Sequence, residues 1–149
     1  MNAGISDFMK VSEIMTKNPV TVKPGATIKV ASDLMIGGDI GALPVVDLSG
    51  NIVGIITERD IVKKVVNKKI KPTEVKVEEI MTKEVAMAVP QMEVQDAVRL
   101  MLSKDIRRLP VIECEFNKPY LYKGRCVGIV TSVDAMRALL EYRKEEKKK

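Results

Sequence analysis

The distribution of apolar residues along the chain predicts five elements and then predicts the same five again. In each half, a short extended run leads into a stretch whose apolar positions recur at the spacing of a helix. These positions are Ile28, Ala31, Leu34 and Met35 in the first half and Val94, Ala97, Leu100 and Met101 in the second. Two β-rich runs follow, and then a second helix that begins near Glu58 or near Ser132. The predicted order is β-α-β-β-α, twice.

The boundaries of these elements follow from turn-forming residues. The β-rich runs "LPVVD" and "NIVGII" are joined by "LSGN", where glycine and asparagine readily take a positive φ. We expect Gly37 and Gly38 to end the first long helix, because glycine is common just past a helix C-terminus. These signals predict a hairpin between the two helices of each half.

Direct sequence repetition supports the same division. "VSEIMTKNPVTVKP" is answered by "VEEIMTKEVAMAVP" at an offset of 66 residues, whereas Gly54 and Gly128 are 74 apart. The second copy therefore carries eight extra residues within "ECEFNKPYLYKGRC", which we expect in a surface loop. We predict a first repeat at residues 1–68, a linker at 69–76 and a second repeat at 77–149. Because about 60 residues bury too little surface to be stable alone, we expect the repeats to pack sheet to sheet about a pseudo-twofold axis.

The motif Thr-x-x-Asp occurs once in each copy, in "GIITERD" and in "GIVTSVD". One interpretation is a helix start, where the threonine hydroxyl caps an amide and the acidic residue lies in the first turn. The other is a ligand site, since an ionised carboxylate accepts hydrogen bonds from ribose hydroxyls and free amides at a helix start suit phosphate. In that case Gly54 and Gly128 would lie inside strands at points where something else comes close. The residues alone leave both interpretations open.

Arginine distinguishes the two copies. Arg107 and Arg108 precede "LPVI", whereas Gly41 and Ala42 precede "LPVV". Guanidinium groups bind phosphate in a bidentate manner. The pair is either plain surface charge or a phosphate-binding element, to which Arg59 could add a further cation.

Composition excludes several classes of chemistry. The chain has no histidine, so histidine-containing zinc sites and histidine-based triads are excluded, and Cys114 and Cys126 show no metal-ligand spacing. We expect free thiols, with a pairing across a hairpin as the alternative. Of the net charge of +5, the tail "RKEEKKK" supplies +3, which leaves weak evidence for a nucleic-acid-binding face. No apolar run is long enough to cross a bilayer and no signal peptide is visible, so we expect a cytoplasmic protein.

The repeated motifs resemble the cystathionine-beta-synthase (CBS) domain pair, also called a Bateman module. The resemblance covers about Val11 to Leu140 and rests on "EIMT", on "ALPVVD" with "RLPVIE", and on "GIITERD" with "GIVTSVD". It implies an α+β fold of tandem β-α-β-β-α domains. It also implies two clefts that bind AMP, ADP, ATP or S-adenosylmethionine, in which the aspartate of one copy holds the ribose. The segment before "LPV" and the first strand of the other copy would line the base and phosphate pockets.

Carried onto this chain, the resemblance implies two sets of binding residues. The first cleft would combine Thr57, Arg59, Asp60, Thr82, Ala86, Ile106, Arg107, Arg108 and Pro110. The second would combine Thr131, Val133, Asp134, Thr16, Asn18, Val20, Ile40, Gly41, Ala42 and Pro44. Because its arginines lie near the phosphate end, we expect the first cleft to prefer a phosphorylated ligand.

The predicted function is that of a regulatory module that senses energy or methylation state and acts in trans on a partner protein whose identity the sequence does not reveal. No P-loop, dinucleotide-binding motif or acid–base pair is visible, so neither an enzyme nor a catalytic cofactor nor a metal is expected. The alternative is a nucleic-acid-binding protein that uses the basic tail and the lysine-rich second helix. We further predict a homodimer, because the helices after each Thr-x-x-Asp motif carry more apolar residues than a two-sheet core needs. These are Ile61, Val62, Val65, Val66, Val133, Met136 and Leu140.

Overall fold

A computed structural model of the chain describes residues 9–113 and 124–148. Cys114 and most of the predicted insertion, residues 114–123, lie outside the described residues. The helices are α1 (Val11–Ile14), α2 (Ile28–Gly38), α3 (Glu58–Ile61), α4 (Val77–Ile80), α5 (Val94–Lys104) and α6 (Ser132–Lys148), and a π-helical turn, Val62–Val66, directly continues α3. The strands are β1 (Thr16–Lys17), β2 (Ala42–Val46), β3 (Ile52–Thr57), β4 (Arg108–Glu113) and β5 (Arg125–Thr131).

The chain forms two compact units, and neither is one continuous stretch of sequence. The first-repeat unit contains Asn18–Val85 together with Cys114–Cys126. The second-repeat unit contains Met1–Lys17, Ala86–Glu113 and Val127–Lys149. The short helix α4 therefore belongs to the first-repeat unit, and α1 with β1 belongs to the second-repeat unit. The predicted boundaries at 1–68, 69–76 and 77–149 follow the sequence repeat, and as a division of the fold they stay a prediction.

The first-repeat unit is built on the antiparallel hairpin of β2 and β3, in which Ala42 pairs with Thr57 and Pro44 with Ile55. In the connecting turn, Gly50 takes a φ of 83°, as the sequence predicted. Every residue of β2 is buried, whereas β3 alternates buried and half-buried positions. A single core joins this hairpin to α2, the π-helical turn and α4. Its buried members are Val22, Ile28, Ala31, Met35, Leu43, Val45, Ile56, Val65, Val75, Val77 and Ile80.

The second-repeat unit contains a three-stranded sheet in the order β1-β5-β4. Strand β1 is antiparallel to β5, with Thr16 opposite Ile129 and Lys17 opposite Gly128. The buried core members are Val11, Ala88, Ala97, Met101, Leu109, Val111 and Val130. The predicted β-α-β-β-α order is confirmed in both repeats. The first predicted strand is reduced to an isolated bridge in each, from Val22 to Val45 and from Ala88 to Val111.

Helices α2 and α5 are each followed by an aspartate in the left-handed region. Helix α2 includes Gly37 and Gly38, and its left-handed cap residue is Asp39, with φ 51°. Helix α5 has no glycine at its end and finishes in the same way, at Asp105 with φ 52°. The prediction that Gly37 and Gly38 end α2 is confirmed, and Asp39 takes the left-handed position after them because aspartate is among the residues that tolerate that region.

The glycines of "GIITERD" and "GIVTSVD" are required by close backbone packing. A Cβ placed on Gly54 would lie 2.6 Å from Sδ of Met81 and 3.0 Å from the carbonyl oxygen of Thr82. A Cβ on Gly128 would meet Sδ of Met15 at 2.6 Å and the oxygen of Thr16 at 3.0 Å. The predicted close approach is therefore real, and a Met-Thr segment of the chain itself makes it.

Replacement of either glycine by alanine should destabilise the protein. We expect Gly54→Ala to lower the free energy of unfolding by about 1–3 kcal/mol, because the added methyl group overpacks against a backbone carbonyl. Gly37→Ala is the matched control, since a Cβ there meets nothing within 4 Å. In a helix, that change should raise stability by up to about 1 kcal/mol. Urea denaturation measures both, and equal effects of the two substitutions would contradict the packing argument.

Candidate functional site

The first Thr-x-x-Asp turn joins β3 to α3 and is closed by reciprocal hydrogen bonds. The backbone N–H of Asp60 donates to Oγ1 of Thr57 at 3.1 Å. In return, the N–H and the hydroxyl of Thr57 donate to Oδ2 of Asp60, at 3.1 and 3.0 Å. Both side chains therefore cap the start of the helix.

The second turn joins β5 to α6 with the same backbone arrangement. The N–H of Asp134 donates to Oγ1 of Thr131 at 3.1 Å, and the N–H of Thr131 donates to Oδ2 of Asp134 at 2.8 Å. The helix-capping interpretation of the motif is thus confirmed in both copies. Capping uses one carboxylate oxygen in each turn, and the second oxygen decides what else the turn can bind.

The second oxygen has different surroundings in the two turns. Nζ of Lys64 lies 3.2 Å from Oδ1 of Asp60 and donates to the carbonyl oxygen of Ile80 at 2.9 Å. Within residues 9–113 and 124–148, no ion pair or hydrogen bond involves Oδ1 of Asp134. The sequence analysis missed Lys64, although its position four residues after Asp60 on a helix is a recognisable ion-pair signal.

Each turn lies against the segment that precedes "LPV" in its own repeat. The N–H of Glu58 donates to the carbonyl oxygen of Gly41 at 3.0 Å, and the N–H of Ser132 donates to that of Arg107 at 2.9 Å. Arg107 is exposed and Arg108 is half-buried. In the part of the chain that the structure describes, neither guanidinium group forms an ion pair. The backbone of Arg107 thus lies against the turn of Thr131 and Asp134 within one unit, and Arg108 is the next residue along the chain.

The structure distributes the predicted binding residues differently from the two predicted clefts. The first-repeat unit holds Asn18, Val20, Ile40, Gly41, Ala42, Pro44, Thr57, Arg59, Asp60 and Thr82. The second-repeat unit holds Thr16, Ala86, Ile106, Arg107, Arg108, Pro110, Thr131, Val133 and Asp134. Within a unit, each aspartate is brought together with the pre-"LPV" segment of its own repeat. The predicted combinations across repeats, such as Asp60 with Arg107 and Arg108, stay predictions.

Comparison with known proteins decides the family. The sequence matches the CBS domain at residues 11–67 and again at residues 77–141, which together span most of the chain. The chain belongs to the CBS domain family. The two compact units are therefore built from a tandem pair of CBS repeats.

Two curated relatives show in what settings this CBS pair occurs. A 17.7 kDa protein of Acidianus ambivalens is 41% identical over 132 residues, covering 89% of this chain and 74% of the relative. The inosine-5'-monophosphate dehydrogenase of Methanocaldococcus jannaschii is 36% identical over 128 residues. That match covers 86% of this chain but only 23% of the dehydrogenase, so a CBS pair also occurs as a small part of a longer protein.

A solved CBS pair provides the structural comparison. The CBS domain pair of protein MJ0100, crystallised with 5'-methylthioadenosine and S-adenosyl-L-methionine, is 34% identical. The TM-score is 0.76, and the match covers 90% of this chain and 98% of that one. Tandem CBS folds of this type are therefore compatible with adenosyl ligands in that relative.

A concave surface lies in the second CBS repeat, between α5 and α6. This α5–α6 groove has a volume of about 640 Å³. Its lining is mainly apolar and consists of Val94, Gln95, Val98, Met101, Leu102, Asp105, Ile106, Arg107, Ser132, Ala135, Met136 and Leu139. Leu102 and Met136 are 76% and 56% exposed. The apolar helix faces predicted from sequence are exposed at Val62, Val66, Val133, Met136 and Leu140, whereas Val65 is fully buried in the core of the first repeat.

Residues 9–113 and 124–148 also bear on metal binding and on membrane insertion. Among those residues, no group of three or more cysteine, aspartate or glutamate side chains is arranged to hold a metal ion. None of the described helices combines the length and the apolar character needed to span a membrane.

The capping role of the turns can be tested through stability. We expect Thr131→Ala to lower the free energy of unfolding by about 0.5–2 kcal/mol, because the N–H of Asp134 loses its acceptor. Thr73→Ala in the exposed linker is the control, since its side chain caps no helix. Chemical denaturation compares the two, and an unchanged midpoint for Thr131→Ala would contradict the capping role.

Proposed function

We propose that this CBS pair is a regulatory module that binds an adenosyl ligand, AMP, ADP, ATP or S-adenosylmethionine, at the turn of Thr131 and Asp134. One observation carries the proposal. In the second-repeat unit, Oδ1 of Asp134 has no partner among the described residues, and the same turn contacts the backbone of Arg107. A ribose needs hydrogen-bond acceptors and a phosphate needs cations, so this turn offers both chemical groups.

The chemistry of each group suggests its role. Oδ1 of Asp134 would accept from a ribose hydroxyl while Oδ2 keeps its capping bond to Thr131. The guanidinium groups of Arg107 and Arg108 would bind a phosphate, assisted by the amides at the start of α6. For S-adenosylmethionine, the same arginines would meet the carboxylate of the amino acid. Support also comes from the 34% identical CBS pair of MJ0100, which was crystallised with two adenosyl compounds.

The arrangement gives binding without chemistry. We infer that the chain is not an enzyme and that ligand binding is read by a partner protein, as expected for a sensor of energy or methylation state. Such control requires that the ligand bind two states of the assembly with different affinity.

Helix surfaces support self-association into a homodimer. The α5–α6 groove is apolar, and Leu102, Val133, Met136, Leu139 and Leu140 around it are 40–76% exposed. Exposed apolar surface of this kind is typical of a protein interface. We propose that a second copy of the chain covers this groove, which makes the homodimer that the sequence predicted an association through α5 as well as α6.

Ligand binding can be tested with site-specific variants. We expect AMP to bind the wild-type chain, Asp134→Asn to weaken it by about tenfold to a hundredfold, and Arg108→Glu to abolish it. Asp60→Asn is the matched control in the first-repeat turn and should leave this affinity unchanged. Isothermal titration calorimetry measures all four proteins. If Asp60→Asn abolished binding instead, the cleft predicted from sequence would be correct and the site proposed here would be wrong.

The class of ligand can be tested by thermal shift. AMP, ADP, ATP, S-adenosylmethionine and GMP are compared at equal concentration. A specific ligand at a hundred times its dissociation constant should add about 2.7 kcal/mol of stability. The absence of a shift with every adenosyl compound would refute the proposed function.

Self-association can be tested at an exposed position. We expect Leu102→Glu to convert a dimer into a monomer, because it places charge in the apolar groove, whereas Leu48→Glu should not. Leu48 is 96% exposed in the β2–β3 turn, far along the chain from the groove residues. Light scattering after size exclusion measures both masses, and a wild-type monomer would rule out the dimer.

A further inference from the structure

In the first Thr-x-x-Asp turn, the aspartate forms an ion pair with a lysine of the same chain. Nζ of Lys64 lies 3.2 Å from Oδ1 of Asp60, while Thr57 donates twice to Oδ2. Both carboxylate oxygens of Asp60 are therefore engaged. The side chain of Asp60 is 14% exposed, so few other hydrogen-bonding partners can reach it from solvent.

A second contact holds Lys64 in this position. Its Nζ also donates to the carbonyl oxygen of Ile80 at 2.9 Å, at the end of α4. The residue belongs to the π-helical turn Val62–Val66, whose Val65 is fully buried and anchors the turn in the core. π-Helical turns are rare and frequently occur at functional sites. Lys64 thus bridges the aspartate of the turn to the segment before Thr82.

The second turn lacks this bridge. The residue four positions after Asp134 is Ala138, which is buried and carries no charge. Helix α6 continues without a π-helical turn from Ser132 to Lys148. Two turns with the same capping bonds therefore differ in whether their aspartate is neutralised from within the chain.

We propose that Lys64 is a specificity-determining residue that competes with ribose hydroxyls for Asp60, so that the pair takes its ribosyl ligand first at Asp134. This inference rests on the proposed function, since it assumes that the Thr-x-x-Asp aspartates hold ribose. A ribose at Asp60 must displace an ammonium group and replace an ion pair with a hydrogen bond from an uncharged hydroxyl to the same carboxylate. Lys64 in this role lowers the affinity of the first-repeat turn and leaves the second unaffected.

The size of the effect follows from the exposure of the ion pair. The side chain of Lys64 is 44% exposed, so water screens its interaction with Asp60. Exposed ion pairs contribute little, and together with the bond to Ile80 we expect Lys64 to lower affinity by about three- to tenfold. In this role, Lys64 determines which of the two turns binds the ribosyl ligand at the lower concentration.

The experiment isolates the first-repeat turn in the full-length chain. Asp134→Asn removes the proposed ribose acceptor of the second repeat. In that background, Lys64→Met keeps most of the aliphatic stem and removes the charge, and Lys63→Met is the control. Lys63 lies in the same π-helical turn, is exposed, and forms no ion pair in the described part of the chain. Adenosine is the probe, because it offers the ribose without a phosphate.

Calorimetric titration with adenosine then gives distinct outcomes. We expect Lys64→Met to raise the affinity about three- to tenfold over Asp134→Asn alone, and Lys63→Met to leave it unchanged. An unchanged or weaker affinity in Lys64→Met, or an equal gain in Lys63→Met, would overturn the inference. Full wild-type affinity in Asp134→Asn alone would overturn it as well, because the first turn would then bind without hindrance.

Two additional measurements separate this inference from the proposed function. If the wild-type chain binds neither adenosine nor AMP, the proposed function fails and the role of Lys64 fails with it. If the wild type binds through Asp134 but Lys64→Met brings no gain, only the role of Lys64 is refuted. Urea denaturation of Lys64→Met, with an unchanged midpoint within error, shows that an altered affinity does not come from partial unfolding.

Discussion

The packing of a Met-Thr segment against a glycine in the middle of a strand is the contact on which both units depend. In the first-repeat unit, Thr82 and Ile55 exchange two backbone hydrogen bonds of 2.9 and 3.0 Å beside Gly54. In the second-repeat unit, Thr16 pairs with Ile129 beside Gly128. Each Met-Thr segment comes from the other sequence repeat, so neither repeat completes its compact unit from its own residues.

This contact also places the functional turns. Strands β3 and β5 end at Thr57 and Thr131, two or three residues after the positions that the Met-Thr segments hold. A strand fixed near its end presents the following turn in a defined orientation. The hydrogen bonds from Glu58 to Gly41 and from Ser132 to Arg107 then secure each turn against the neighbouring strand of its own unit. Backbone packing therefore gives the two turns the same local structure.

Side chains then make the two turns different. Lys64 forms an ion pair with Asp60, whereas no described residue forms an ion pair or a hydrogen bond with Oδ1 of Asp134. The turn of Asp134 also contacts the backbone of Arg107, through the N–H of Ser132. Arg107 and Ser132 also line the α5–α6 groove. The second-repeat unit thus brings together the turn of Thr131 and Asp134 and the apolar α5–α6 groove. An interface that covers the groove would touch the same residues that flank the proposed ligand.

The sequence by itself determined the repeat, the order of the elements and the capping turns, because these depend on local spacing and on hydrogen bonds three residues apart. It also indicated that something packs closely on Gly54 and Gly128. Only the tertiary structure decided that this neighbour is a Met-Thr segment and that the carbonyl oxygen of Arg107 accepts a hydrogen bond from Ser132. The tertiary structure alone also showed that Lys64 donates to the carbonyl oxygen of Ile80, because the two residues are 16 positions apart in the sequence. Periodicity indicates which face of an element is apolar. Contacts between distant segments depend on which segments of the chain each unit contains, and no local sequence pattern specifies that.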